Sequence, residues 1–291
     1  MDISIHLGAH DTDDDQILKT LLRNKGVLAE EGIVVPGPGR YRPIMRETLK
    51  ALRGAVATPE IEEVVLDSAM DVDRAERLVL SSENFICVPQ RVLTEGVLYP
   101  NAAEKTMWLR NVFPRHDVEF FLALRDPATF IPANLRRHRD MDAADFLAHF
   151  DPMAQRWSDV VERIRSTNPG TPITVWCNED SPLLWPEILR AVADHDPFLK
   201  LTGVDDILDG LMTEEGATRM AAFMEAKPPA NEAQRRRIVA AFVEKFGIDD
   251  ALEEELDMPG WTEEYVDALT AQYEEDIYQI QRIPGVTVLM P

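Results

Sequence analysis

The densest chemistry in this chain sits in one turn near its start, His10-Asp11-Thr12-Asp13-Asp14-Asp15. Two chemistries suit such a run. Carboxylate oxygens and imidazole nitrogens ligate divalent cations, so Asp11 and Asp13, with His10 and His6, form a candidate cation site, although the spacing matches no defined loop such as the EF-hand. Alternatively, the carboxylates start a helix. Thr12 followed three residues later by Asp15 is a capping-box pattern, and Ile17, Leu18, Leu21 and Leu22 then share one helical face.

Other candidates are scattered. Arg40 and Arg42 lie between a short apolar run and the next helical pattern, placed to neutralise an anion or to pair with Asp13–Asp15. Glu83, after Ser81 and Ser82, has the carboxylate a general base needs to take a proton from a hydroxyl. Arg125-Asp126-Pro127 reads either as an anion contact or as a turn with proline at the first helical position. The basic run Arg136-Arg137-His138-Arg139 suits a helix C-terminus, where cations complement the dipole, or an anion site beside Arg125. Asn178, Glu179 and Asp180 follow another strand.

The elements that must hold these residues alternate in type. Asp2 to Leu7 alternates apolar and polar residues and meets Gly8, as a strand does. Ile33-Val34-Val35 is a short buried strand stopped by Pro36-Gly37-Pro38-Gly39. Residues 77–81, 118–124 and 173–177 are further strands, the second apolar enough to be covered on both faces. Helical patterns occupy 43–52, 59–69, 102–112, 128–138, 143–150, 153–167 and 182–193. This alternation predicts a three-layer α/β domain with a parallel sheet over residues 1–198. Ligands of such sheets bind beyond the C-terminal strand ends, where the candidate loops lie. Residues 199–291 predict a helical extension, with helices near 214–225, 231–246 and 262–283 and a short β-like end at 286–289.

Bulk properties narrow the classes of function. A net charge of −22 disfavours nucleic acid and anionic membrane surfaces as partners. Residues 249–276 hold twelve Asp or Glu and no Lys or Arg, which is either a solvated face or a docking surface for a basic protein partner. No run of about 18 apolar residues predicts a membrane span, and no basic leader precedes the first strand. Two cysteines, Cys87 and Cys177, both in apolar surroundings, predict buried reduced thiols and a cytoplasmic location.

A strand ending in His6-Leu7-Gly8-Ala9-His10, then a helix and the run Gly32-Ile33-Val34-Val35-Pro36, resembles the bacterial sulfotransferase-like P-loop proteins. Ser81-Ser82-Glu83, Arg125-Asp126-Pro127 and Pro284-Gly285-Val286-Thr287 follow in matching order, and the resemblance covers roughly residues 1–195. It implies a sheet whose first loop grips the 5′-phosphosulfate of 3′-phosphoadenosine 5′-phosphosulfate. The family's loop uses backbone N–H groups and a Lys followed by small hydroxyl residues. By that resemblance Gly8, Thr12, Arg125 and Asn134 belong to a donor site, with Arg40 and Arg42 as possible replacement cations, and Glu83 or His10 to catalysis. The sequence departs from the pattern where the chemistry lies. Asp11 stands at the Lys position, and Ala133 stands where a Ser would follow Arg125.

A like-charge pair about 4 Å apart costs roughly 4 kcal/mol at an effective dielectric of about 20, and the lost Lys attraction is of similar size. A helix terminus returns only about 0.3–1 kcal/mol. The expectation is therefore a sulfotransferase-fold protein without standard donor binding, acting as a binding or interaction protein. The alternatives are an active enzyme that transfers a sulfuryl group to a carbohydrate or small-molecule hydroxyl, and a metal-dependent enzyme using the Asp cluster.

Overall fold

A computed structural model describes residues 1–94, 96–138, 141–248 and 258–291. Six parallel strands form the central sheet: β1 (Asp2–His6), β2 (Ile33–Val34), β3 (Arg77–Ser81), β6 (Asp117–Leu124), β7 (Ile173–Cys177) and β8 (Val286–Leu289). Their spatial order is β2-β3-β1-β6-β7-β8. The central strand β1 pairs with both β3 and β6, placing His6 opposite Ser81 on one side and Phe121 on the other. The chain runs outward to one edge first and then to the other, so the order reverses beside β1. A crevice opens there, beyond the C-terminal strand ends.

Alternation along the strands feeds two cores. Ile3, Ile5, Leu7, Leu78, Leu80, Phe120 and Leu122 face one layer, with Tyr41, Leu109 and Trp157. That layer is built by α3 (Pro38–Leu52), α4 (Pro59–Ala69), α5 (Ala102–Val112), α8 (Trp157–Thr167) and α12 (Glu263–Ile280). Val79, Phe121, Ala123 and Trp176 face the other, against Ile17, Leu21, Leu184 and Ile188, from α1 (Gln16–Arg23) and α9 (Ser181–Ala193). The polar positions of β1, Ser4 and His6, are buried on this second face. His6 pairs through Nδ1 with Ser81 Oγ at 2.9 Å and stacks on Trp176, which answers the cost of burying a polar ring.

Two elements differ from the sequence expectation. Helix α3 begins at Pro38, five residues before the expected 43: proline is well suited to the first helical position, so the Pro-Gly run starts a helix as well as stopping a strand. A two-stranded hairpin, β4 (Leu93–Thr94) with β5 (Val97–Leu98), is too short to show a period, and it delivers Tyr99 to the base of the crevice.

The C-terminal region is helical and ends in a strand. Helices α10 (Glu214–Ala226) and α11 (Glu232–Phe246) share a small core of Leu208, Met212, Met220 and Val239. α12 packs on α8 and on α6 (Pro127–Arg136). β8 then joins the sheet edge, pairing Ile173 with Val286 and Trp176 with Leu289.

Candidate functional site

The turn after β1 is built around Gly8 at φ 53°, where an added Cβ would stand 3.0 Å from Glu83 Cα. Only glycine lets this turn lie so close to the loop after β3. His10 is fully buried. Its backbone N–H donates to the Tyr99 hydroxyl at 2.9 Å, and its Nδ1 lies 2.9 Å from the same oxygen. The hydroxyl accepts from the amide and shares a second hydrogen bond with Nδ1. Burial pushes the His10 pKa down to about 4, against the upward pull of Asn84 and Asp11. His10 is thus a neutral anchor of the turn, shut away from solvent, and is not placed where the expected catalytic imidazole would meet a substrate.

The four aspartates do not form the expected capping box. Thr12 Oγ1 donates back to the Ala9 carbonyl at 2.6 Å, and Asp15, at the N-cap of α1, makes no side-chain capping bond. Asp13 Oδ2 instead accepts from the Ile17 N–H at 3.1 Å. Asp11, Asp14 and Asp15 all have positive φ, at 58°, 46° and 64°. Aspartate is one of the few residues that adopts this region without a large penalty, so the acidic composition also serves the turn's shape.

Three arginines close over this turn. Arg137 Nε lies 2.8 Å from Asp11 Oδ1, and its Nη2 lies 3.6 Å from Asp14 and 3.7 Å from Glu83. The Asp11 hydrogen bond, more than any other contact, raises the Arg137 pKa. Arg125 donates to the Asp11 carbonyl and, at 2.9 Å, to Thr129 Oγ1. Arg42 grips Asp15 at 2.5 and 3.1 Å and donates to the Ser81 carbonyl.

Arg40 is a correction: it pairs with Asp71 and donates to the Ser68 carbonyl, away from the turn. The earlier start of α3 explains this, because residues two apart on a helix point to different sides. Asn134 is buried and donates to the Pro89 carbonyl at 3.3 Å.

The candidate cation ligands are already engaged, Asp11 by Arg137 and Asp13 by a helix N–H. Among the described residues no three His, Cys, Asp or Glu side chains come together as a metal ion would require. Glu83 is half-buried, and burial raises its pKa against the downward pull of Arg137. It remains beside the turn, facing Arg137.

The loops after β6 and β7 form a second polar cluster that reasoning from sequence missed as a unit. Glu179 Oε1 accepts from the Asp126 N–H at 2.8 Å, and its Oε2 pairs with the Tyr273 hydroxyl at 3.2 Å. Tyr273 also donates to the Leu124 carbonyl, and Thr270 donates to Asp126 at 2.6 Å. Tyr273 and Thr270 come from α12, so the C-terminal helix closes this end of the crevice.

Burial raises the Glu179 pKa. A carboxyl with a raised folded pKa stabilises most at low pH and loses that contribution as pH rises through the raised value. Glu179→Gln retains an acceptor for Asp126 and offers an amide N–H to Tyr273. It should therefore be more stable than the parent near pH 8 and lose less stability between pH 5 and pH 8. Urea denaturation at both pH values measures this, and equal pH slopes would refute it.

Beside the turn lies a cleft of about 700 Å3, between α3, α5 and residues 82–91. Arg42 is shared by both sites. The sequence signal for this cleft was present but unread: Arg42, Arg46 and Lys50 are four residues apart and fall on one face of α3.

No protein-family model matches the chain, and no curated protein matches it. Among solved structures, a sulfotransferase from Alicyclobacillus acidocaldarius is similar, at 10% identity and a TM-score of 0.40, over 86% of this chain and 98% of that one.

Proposed function

We propose that this protein is a binding protein on a sulfotransferase-like scaffold whose donor loop is closed by its own side chains. The observation that carries the reading is the fate of the groups a phosphosulfate would need. Arg137 is held by Asp11, Arg125 donates to the Asp11 carbonyl, and the Ile17 N–H at the start of α1 is capped by Asp13. An incoming anion would have to displace two carboxylate contacts and one backbone carbonyl, and then sit among the aspartates it displaced.

A second reading, an active sulfotransferase, draws on the nearness of Glu83 and Arg137 and on the place of Arg125 at the end of β6. Any protein partner would be basic. Exposed Glu263, Glu264, Asp267, Glu274 and Glu275 on α12 offer it a surface. Residues 249–257 of the acidic stretch lie outside the described residues, and Asp276 is excluded because it is buried and accepts from the Ser158 N–H.

Thermal-shift titration with 3′-phosphoadenosine 5′-phosphate in EDTA separates the two readings. A ligand at about 100 times its Kd adds about 2.7 kcal/mol. The expected result is no stabilisation that depends on Arg125 or Arg137. A shift in the parent that disappears in both Arg125→Ala and Arg137→Ala would overturn the closed-loop reading.

A further inference from the structure

The cleft beside the turn carries a charge opposite to that of the protein as a whole. Five cations line it, Arg42, Arg46, Lys50, Arg91 and Lys105, and no Asp or Glu does, in a chain of net charge −22. Arg42 is committed to Asp15, and Lys105 lies 3.6 Å from Glu104. Arg46, Lys50 and Arg91 are exposed and make no ion pair among the described residues. Like charges repel, so clustering them around one cavity opposes stability unless something negative enters.

Cys87 adds no negative charge there, because burial pushes its thiol up to about 12. Beside the polar Ser82, Asn84 and Asn101, the lining has an apolar part, with Leu49, Phe85, Ile86 and Val88 near one indole, Trp108. That ring is held in place: Lys105 Nζ sits 3.3 Å from its centroid, and Gly54, at φ 89°, leaves 2.5 Å between an added Cβ and the indole Nε1. A volume of about 700 Å3 suits a ligand of small-molecule size.

We propose that this cleft binds a small organic anion, a phosphate, sulfate or carboxylate carried on a ring or short apolar body. Arg46, Lys50 and Arg91 receive the charged group, while Trp108 and the aliphatic floor take the body. Phosphate or sulfate without an apolar body would leave the floor unused, and an uncharged ring would leave the cations unpaired.

The inference is independent of the closed donor loop, since its key cations belong to other elements than Arg125 and Arg137. The probe is 1-naphthyl phosphate, compared by isothermal titration calorimetry with 1-naphthol and inorganic phosphate on the full chain. The naphthyl phosphate should bind at least about tenfold more tightly than either control, and its affinity should fall as salt rises. The triple variant Arg46→Gln, Lys50→Gln, Arg91→Gln should have a Tm no lower than the parent's, because these exposed side chains repel one another, and should bind about tenfold more weakly.

Equal affinity for 1-naphthol, equal affinity in the triple variant, or no binding of 1-naphthyl phosphate would each overturn the proposal. If the adenosine bisphosphate of the earlier test stabilises the protein, loss of that shift in the triple variant alone assigns it to this cleft. Loss in Arg125→Ala and Arg137→Ala alone assigns it to the loop. The two proposals therefore fail separately.

Discussion

Between pH 6.5 and pH 4 the folded protein should lose about 3 kcal/mol of stability through His10 alone. The unfolded chain takes up a proton on this imidazole near its ordinary value of 6.5, whereas burial holds the folded group neutral down to about 4. In that interval the unfolded state binds more protons than the native one, so stability rises with pH and falls on acidification. At about 1.36 kcal/mol per pH unit, the interval is worth about 3 kcal/mol.

The contribution is complete above pH 6.5 and gone below about 4. His10→Gln removes the titration, while its side-chain amide can still hydrogen-bond the Tyr99 hydroxyl. In urea denaturation at pH 7, 6, 5 and 4 the parent should lose about 3 kcal/mol more than the variant as the pH falls from 6.5 to 4. His6 also has a lowered pKa, through burial, but it is present in both proteins and cancels from the comparison. Parallel curves would show that the His10 ring is not held neutral by the fold. The consequence reaches the site, since the His10–Tyr99 contact anchors the turn in which Asp11 holds Arg137.

Replacing Trp157 by alanine should cost about 3–5 kcal/mol, the range for deleting a large buried aromatic. Trp157 is fully buried. Its indole Nε1 donates to the Arg125 carbonyl at 2.8 Å, and its ring lies 5.8 Å from Tyr99 and 5.4 Å from Phe130 between centroids. It therefore supports both walls of the crevice, the loop after β6 through Arg125 and the turn after β1 through Tyr99 and His10. Trp157→Phe keeps most of the ring volume and loses the hydrogen bond, so it should cost about 1–3 kcal/mol. Equilibrium urea unfolding of both variants tests this. A cost under about 1 kcal/mol for the alanine variant would mean that this aromatic cluster is not what supports the loop.

Much of the fold was legible in the order of residues. The near-continuous apolar run of β6 announced a strand covered on both faces, because a parallel sheet between helix layers leaves no face for water, and the short apolar runs of β3 and β7 read as strands. The alternation of β1 was legible as a strand. Ser4 and His6 point into the second layer and are buried there, and a period cannot say whether polar residues face solvent or a partner such as Ser81. The start of α3 was misread because a Pro-Gly run both ends strands and begins helices; local chemistry is the same in the two cases, and only packing chooses between them.

For the site, sequence alone determined that the turn after β1 is acidic, and that Glu83 and Arg125 each follow a strand. The tertiary structure decided what those residues do. Arg137 comes from the far end of α6, Tyr99 from a hairpin with no detectable period, and Tyr273 from the C-terminal helix. Which of them meets Asp11, His10 or Glu179 depends on where helices land across the sheet. Those pairings join residues 89 to 126 positions apart, and spacing along a chain records contacts within a helix or strand but not contacts across such distances. The acidic turn announced itself in the sequence; that its carboxylates are already paired, and that a cation-lined cleft opens beside it, follows only from how the layers pack.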